Sequence, residues 1–127
     1  MAEEINVNAS LQIRRIEDFI SRYANNVHFE VSVWDLKLLF SEFQQPPGEP
    51  AFIQQHTGIT IPWVQVKLMT LLLQLNIMAH ESVNGKITVP ANVLPPISPP
   101  GPEITDPQIR SVLENVYNKF QELVSEL

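Results

Sequence analysis

The sequence predicts an α+β fold, in which a small antiparallel sheet of about three strands packs on one long apolar helix. Two observations support this prediction. Residues 27–33 alternate between apolar and polar side chains, which is the pattern of a half-buried strand. Residues 60–85 instead repeat apolar side chains at spacings of three and four, which is the pattern of a helix. A Pro-rich linker and a C-terminal amphipathic helix are predicted to follow this core.

The predicted domain boundaries follow changes in composition along the chain. Residues 1–10 are polar and are predicted to form a flexible N-terminus. The following segments are an α+β core domain at 11–89, a Pro-rich linker at 90–104 and a C-terminal amphipathic helix at 105–127. At the start of the core, residues 11–15 alternate as a short strand does, whereas residues 16–23 carry apolar side chains at helical spacing. Strand and helix therefore both stay open there.

Three strands are expected before the long helix. The first is predicted at residues 27–33 and the second at 36–43, and the short gap between them indicates an antiparallel hairpin. On the second strand, Leu36, Leu38 and Phe40 are expected to face inward, and Lys37, Leu39 and Ser41 outward. Prolines and a glycine at residues 45–50 predict a loop before a third strand at 51–59.

The long helix is predicted to begin near Thr60, with Pro62 in its first turn, and to end at Asn84-Gly85. Its apolar residues cover two sides, and the polar stripe that contains Lys67 is narrow. A helix that is covered by one sheet needs a single apolar face, so a second surface has to cover this one. Either the same chain or a neighbouring subunit could provide that cover, and we favour a subunit interface.

The C-terminal helix is predicted to be capped by Thr105 or Asp106, with Pro107 in its first turn. Apolar residues recur along it at alternating spacings of four and three, which forms a short heptad seam suited to packing on a domain or a partner subunit. The Pro-rich linker before it is expected to be an extended spacer, although PPISPP also contains the P-x-x-P frame of a groove ligand. The candidate oligomer or partner interface drawn from both helices consists of Val66, Met69, Leu73, Ile77, Ile109, Val116, Phe120 and Leu123.

Composition excludes several classes of function. The net charge is −6, and no dense cluster of Lys and Arg is present, which argues against a nucleic-acid partner. The absence of cysteine removes disulfides, thiol nucleophiles and Cys-based zinc sites. Polar residues interrupt the long helix, so no membrane span is expected. The acidic start lacks the apolar core of a signal peptide, which predicts a cytoplasmic location.

No motif of catalytic or metal-binding specificity is present. His28, His56 and Glu30 are the best candidates for a metal site, because imidazole and carboxylate are common ligands of zinc and iron. They lack the spacing of known metal motifs, and phosphate-binding glycine loops and nucleophile elbows are also missing. We therefore expect no catalytic residue, no metal and no cofactor.

Several short motifs resemble those of small bacterial proteins grouped as domain of unknown function 3467. These are Tyr23-Ala24-Asn25-Asn26-Val27, Ser32-Val33-Trp34-Asp35, Gln55-His56-Thr57, Ile61-Pro62-Trp63, Leu75-Asn76-Ile77 and His80-Glu81. The resemblance covers roughly residues 20–90 and implies no activity, because the family is uncharacterised. The family often has glycine in the segment after Trp-Asp, where this chain has Ser41, which argues against a β-bulge there. Tyr23, the two asparagines and Trp34 are interpreted as turn and packing residues.

The layout of a sheet beside a long helix that starts at a Pro-aromatic pair is also similar to tetrameric export chaperones of the SecB type, as an analogy of form. Our first hypothesis is a non-enzymatic homo-oligomeric module, a dimer or a higher assembly, with an interaction or regulatory function. The alternative is a SecB-like holdase chaperone or an antitoxin-type partner protein. A small metal-dependent enzyme is a remote third hypothesis.

Overall fold

A computed structural model describes residues 11–127 of the chain. It contains three strands and two α-helices, in the order β1 (Asn26–Val31), β2 (Asp35–Gln44), β3 (Phe52–Pro62), α1 (Trp63–Asn84) and α2 (Pro107–Ser125). The predicted α+β class, with a three-stranded sheet, a long helix and a later C-terminal helix, is confirmed. The chain divides into two compact units, Met1–Leu71 and Leu72–Leu127, whose boundary falls within α1. The predicted flexible N-terminus, residues 1–10, lies outside the described residues.

The sheet is an antiparallel meander with β2 in its centre. Leu36 and Leu38, both on β2, are the buried hydrophobic residues of the part that the structure describes. The central strand is the most covered one because it has a neighbour on each side. The prediction that Leu36 and Leu38 face inward is therefore correct.

Contrary to the expectation from Ser41, a β-bulge interrupts the pairing of β2 with β3 beside this residue. Phe40 pairs with Thr57 but the next residue, Ser41, pairs with Gln55, so His56 is the extra residue on β3. Ser41, which was expected to face outward, is 0% exposed. The expectation was wrong because the sequence pattern shows neither the bulge nor the chain that covers Ser41. Its small hydroxyl group donates to the carbonyl oxygen of Asn26 at 3.3 Å, which offsets the cost of its burial.

The junction between β3 and α1 lies later than predicted. β3 continues to Pro62 because the start of β2 extends the pairing, with Asp35 opposite Pro62. The helix therefore begins at Trp63, and Pro62 lies just before its first turn rather than in it. Proline suits the end of an edge strand, where its missing N–H leaves no ladder bond unmade.

Residues 11–25 form neither of the two elements that the sequence left open. They contain no strand or helix, and a single turn is closed by the bond from Phe19 N to Ile16 O at 3.1 Å. A helix of about eight residues is marginal without a surface to pack against, because nucleation costs more than one or two turns recover. The apolar side chains of this segment are exposed.

The ends of the two helices follow their sequence signals. Gly85, with φ of 86°, ends α1, and its N–H donates to Glu81 O at 3.0 Å. Residues 86–89 form an arm without strand or helix, and the Ile87 N–H donates to the Glu81 carboxylate at 2.8 Å. At α2, Asp106 is the N-cap: its carboxylate accepts from the N–H groups of Gln108 and Ile109. Pro107 lies in the first turn, as predicted.

Candidate interaction surface

The turn between β1 and β2 is held by one serine. The Ser32 hydroxyl donates to the Asp35 carboxylate at 2.8 Å and accepts from the backbone N–H groups of Trp34 and Asp35. The Trp63 indole N–H donates to the Ser32 carbonyl oxygen at 3.0 Å, across 31 positions of sequence. The Ser-x-Trp-Asp and Ile-Pro-Trp motifs therefore meet in space, and together they hold the hairpin turn against the first residue of α1.

A second polar cluster lies around the bulge. The Nε2 atom of His56 is 3.0 Å from the carbonyl oxygen of Tyr23, which only accepts, so Nε2 carries the proton. The His56 Nδ1 atom then accepts from the Thr57 hydroxyl group at 2.8 Å. The Asn25 side-chain oxygen accepts from the N–H of Phe43 at 2.9 Å. The Tyr-Ala-Asn-Asn and Gln-His-Thr motifs thus tie the segment before β1 to the bulge.

These contacts correct the interpretation of Tyr23 and Trp34 as packing residues. The Trp34 side chain is 82% exposed, and that of Tyr23 is exposed as well. Both residues contribute to the polar clusters through backbone groups: Tyr23 through its carbonyl oxygen and Trp34 through its N–H. Periodicity alone did not reveal these roles, because each depends on a backbone group rather than on the side chain.

The candidate metal ligands differ in exposure and in their hydrogen bonds. His28 and Glu30 lie on the same face of β1 and are exposed, whereas both ring nitrogens of His56 are hydrogen-bonded. Within residues 11–127, no three histidine or acidic side chains form a cluster that could hold a metal ion. His56 thus joins the bulge to the segment before β1 through its two ring nitrogens.

A shallow groove of about 440 Å³ lies beside the bulge. Its walls are mostly apolar, and His56, Thr57 and Arg22 supply its polar edge. The apolar walls come from the segment before β1 and from one face of the sheet: Ile20, Ala24, Phe40 and Ile59. The sequence patterns did not predict this groove, because it depends on where the irregular segment before β1 lies.

The same face of the sheet carries an apolar row across all three strands. Phe29 of β1 lies opposite Leu38 of β2, which lies opposite Ile59 of β3. Only the middle residue of this row is buried, and Phe29 and Ile59 stay exposed. The sheet therefore covers its own centre and leaves apolar side chains uncovered toward both edges.

Helix α1 contains no buried residue. Of the four predicted interface residues on it, Val66 and Met69 are half-buried, and Leu73 and Ile77 are exposed. The opposite apolar side is exposed too, and Leu72 retains 47% of its accessible surface. Both apolar sides of this helix therefore remain available to another surface.

Helix α2 also lacks a buried residue. Its predicted interface residues Ile109, Val116 and Leu123 are exposed, and Phe120 is half-buried. In the second unit, the end of α2 meets the arm that follows α1, where Lys86 Nζ donates to the Leu127 carbonyl oxygen at 3.0 Å. An apolar groove of about 420 Å³ in this unit is lined by residues of α1, the arm and α2: Ile77, Ile87, Val89, Leu123 and Leu127.

Comparison with known proteins gives one match. A family model described as protein of unknown function (DUF3467) matches residues 1–89, which is well over half of the chain. The matched range includes both polar clusters and all of α1. No curated protein and no solved structure matches the chain.

Proposed function

The chain belongs to the DUF3467 family, whose description assigns no activity, and we propose that it is a non-enzymatic homo-oligomeric module with an interaction or regulatory function. The observation that carries the proposal is its uncovered apolar surface. Within residues 11–127, Leu36 and Leu38 are the only buried hydrophobic residues, while both sides of α1 and the seam of α2 face solvent. A folded domain needs more burial than this, because hydrophobic burial is what offsets chain entropy.

The accessible area supports the same proposal. The chain exposes 11525 Å², whereas a folded monomer of 14.4 kDa exposes about 6,800 Å². Residues 1–10 could account for at most about 1,600 Å² of the difference, because that is what an unfolded decapeptide exposes. An excess of roughly 3,000 Å² per chain remains, or about 6,000 Å² for a pair of chains, which reaches the upper end of the area that obligate interfaces bury.

The proposed interface uses the apolar sides of α1 and α2. It comprises Val66, Met69, Leu73, Ile77, Ile109, Val116, Phe120 and Leu123. Within residues 11–127, no helix has the length and apolar content that a membrane crossing requires. A second copy is therefore the cover that we propose for these side chains. A cytoplasmic location and the lack of a nucleic-acid partner stay predictions.

The proposal is tested by the mass of the protein in solution. Sedimentation velocity over a range of low micromolar concentrations should give a mass that is a multiple of 14.4 kDa, with no folded monomer at the lower end. Circular dichroism at the same concentrations should show helix content that falls as the assembly dissociates, because the helices depend on their cover. A monomer that stays folded at micromolar concentration would contradict the proposal.

One observation favours the alternative of a holdase chaperone or an antitoxin-type partner. The groove beside the bulge is open and apolar, and its size suits a few side chains of an extended peptide. Under this alternative, the protein suppresses aggregation of a heat-unfolded model substrate at stoichiometric ratios. Ile59→Ser in the groove wall should weaken that effect, whereas Lys67→Ala on the polar stripe of α1 should not. An unchanged aggregation rate in the presence of the wild-type chain would remove the holdase.

A further inference from the structure

Strand β1 has an open edge. Within residues 11–127, β1 pairs with β2 alone, so its other side has no strand beside it. The hairpin bond from Ser32 N to Asp35 O sets the hydrogen-bonding phase of this strand. Because bonded pairs alternate along an antiparallel ladder, the N–H and C=O groups of Val27, Phe29 and Val31 point away from β2. These backbone groups form the free edge.

The two edges of the sheet differ in their protection. The β3 edge carries the bulge at His56 and ends in Pro62, two features that discourage pairing with another strand. β1 has no bulge, proline or lysine, and its apolar residues are exposed, with Phe29 at 56%. An unprotected apolar edge of this kind is a template for another strand.

We propose that β1 pairs antiparallel with β1 of a second copy, around a two-fold axis at Phe29, which joins two sheets into one of six strands. This inference rests on the proposed homo-oligomer and names β1 as a further surface through which two copies join. Phe29 then lies opposite Phe29 of the second copy, and Val27 lies opposite Val31. All of these residues carry outward backbone groups, so the junction forms about six hydrogen bonds.

Side-chain charges select this register over its neighbours. Opposed residues have their side chains on the same face of the joined sheet. The two-fold axis can therefore pass only through a residue of β1 and not between two residues. Centred at Phe29, each His28 lies opposite Glu30 of the other copy, where an imidazole N–H can donate to a carboxylate. Centred at Glu30, two carboxylates oppose each other. Centred at His28, two imidazoles oppose each other and each Glu30 faces Asn26 instead.

Cysteine cross-linking tests the register, because the natural chain has no cysteine and a single introduced thiol is unambiguous. In the full-length protein, Phe29→Cys should form a disulfide-linked dimer with diamide, since opposed strand residues lie about 5.5 Å apart between Cα atoms. Val27→Cys and Val31→Cys alone should stay unlinked, because each is more than about 13 Å from its own copy. A mixture of the two should link.

A charge exchange provides the second readout. His28→Glu places carboxylates opposite each other twice, and association measured by sedimentation should weaken roughly tenfold. The exchange His28→Glu/Glu30→His restores both pairs with unchanged composition and should recover association. Circular dichroism confirms that each variant folds.

The outcomes separate this inference from the proposed function. Cross-linking at Phe29 together with recovery by the exchange supports the junction. An assembly that persists without either result overturns edge pairing and leaves the proposed homo-oligomer standing. Cross-linking of His28→Cys instead of Phe29→Cys overturns the register, and a folded monomer overturns both the inference and the proposed function.

Discussion

The sheet and the helices differ in where their stabilising contacts lie. In the sheet, polar groups from distant motifs find partners within the chain: Trp63 reaches Ser32, and His56 reaches Tyr23. Along α1 and α2, the apolar side chains find no comparable cover, and neither helix has a buried residue. Hydrogen bonds thus specify the hairpin locally, whereas the helices present apolar surface that we propose a second copy covers.

From this contrast we expect the polar clusters of the sheet to control stability and the apolar sides of the helices to control association. A change in the polar clusters should alter the free energy of unfolding and leave the assembled mass unchanged. A change on the apolar side of α1 should alter the assembled mass first. Substitutions in the two regions, each measured by unfolding and by sedimentation, therefore test whether stability and association depend on different residues.

The largest effect is expected from Leu73→Asp. Leu73 belongs to the proposed interface and is 54% exposed in the single chain, so the substitution buries no charge within the chain. At an interface it leaves a buried, unpaired charge, which costs more than about 3 kcal/mol of association. Sedimentation should show loss of the oligomer.

The matched control is Lys67→Ala on the polar stripe of α1. It should change unfolding and association by less than about 0.5 kcal/mol, because the lysine is exposed and away from the apolar sides. If Leu73→Asp and Lys67→Ala behave alike in sedimentation and in thermal melts, the polar and apolar faces of α1 are assigned wrongly and the contrast between sheet and helices fails.

The next effect is expected at the bulge, from Ser41→Val. Ser41 is fully buried and its hydroxyl group donates to Asn26 O. Valine adds volume to a filled site and removes the donor, which should lower the free energy of unfolding by about 2 kcal/mol. Urea unfolding measures this loss at a concentration where the assembly is intact. Ser41→Ala, which removes only the hydroxyl group, should cost less, and an equal cost for both variants would argue against tight packing there.

The parts of the fold that the sequence predicted are those specified by neighbouring residues. Alternation indicated β1 and β2, and Asn84-Gly85 and Asp106-Pro107 marked helix ends that the structure shares. The bulge and the burial of Ser41 were missed, because they depend on the register between β2 and β3 and on the chain over Ser41. The contact between Trp63 and Ser32 was missed for a similar reason: it joins residues 31 positions apart.

The candidate surface was predictable only in part. Apolar excess on α1 predicted that its apolar side chains would need a second cover, and the structure leaves both apolar sides exposed. The apolar pattern did not show the groove beside the bulge, which is formed partly by the irregular segment before β1. Nor does periodicity identify the covering molecule, because an apolar side chain packs equally well against a segment of its own chain or against a second copy.

A smaller effect is expected from Trp63→Phe. The phenyl ring keeps most of the apolar contact of the indole but loses the N–H that bonds to Ser32 O. The lost hydrogen bond should cost about 1 kcal/mol of unfolding free energy, since the carbonyl oxygen left behind can still meet water. Circular dichroism during urea unfolding measures this loss. A change in assembled mass here would break the contrast, because it would give a contact of the polar clusters a role in association.

The smallest effect is expected from Asp106→Ala, and it tests the contrast within a helix. The carboxylate satisfies two N–H groups at the start of α2, and losing it should destabilise that helix by about 0.5–1 kcal/mol. Asp106→Asn is the matched control, since asparagine caps equally well without the charge. Hydrogen exchange of the first turn of α2 should quicken in the alanine variant alone. The assembled mass should stay constant, because the cap stabilises the helix whether or not its seam is covered. A lower mass would show instead that α2 forms only upon assembly, because loss of the Asp106 cap would then weaken association as well as the helix.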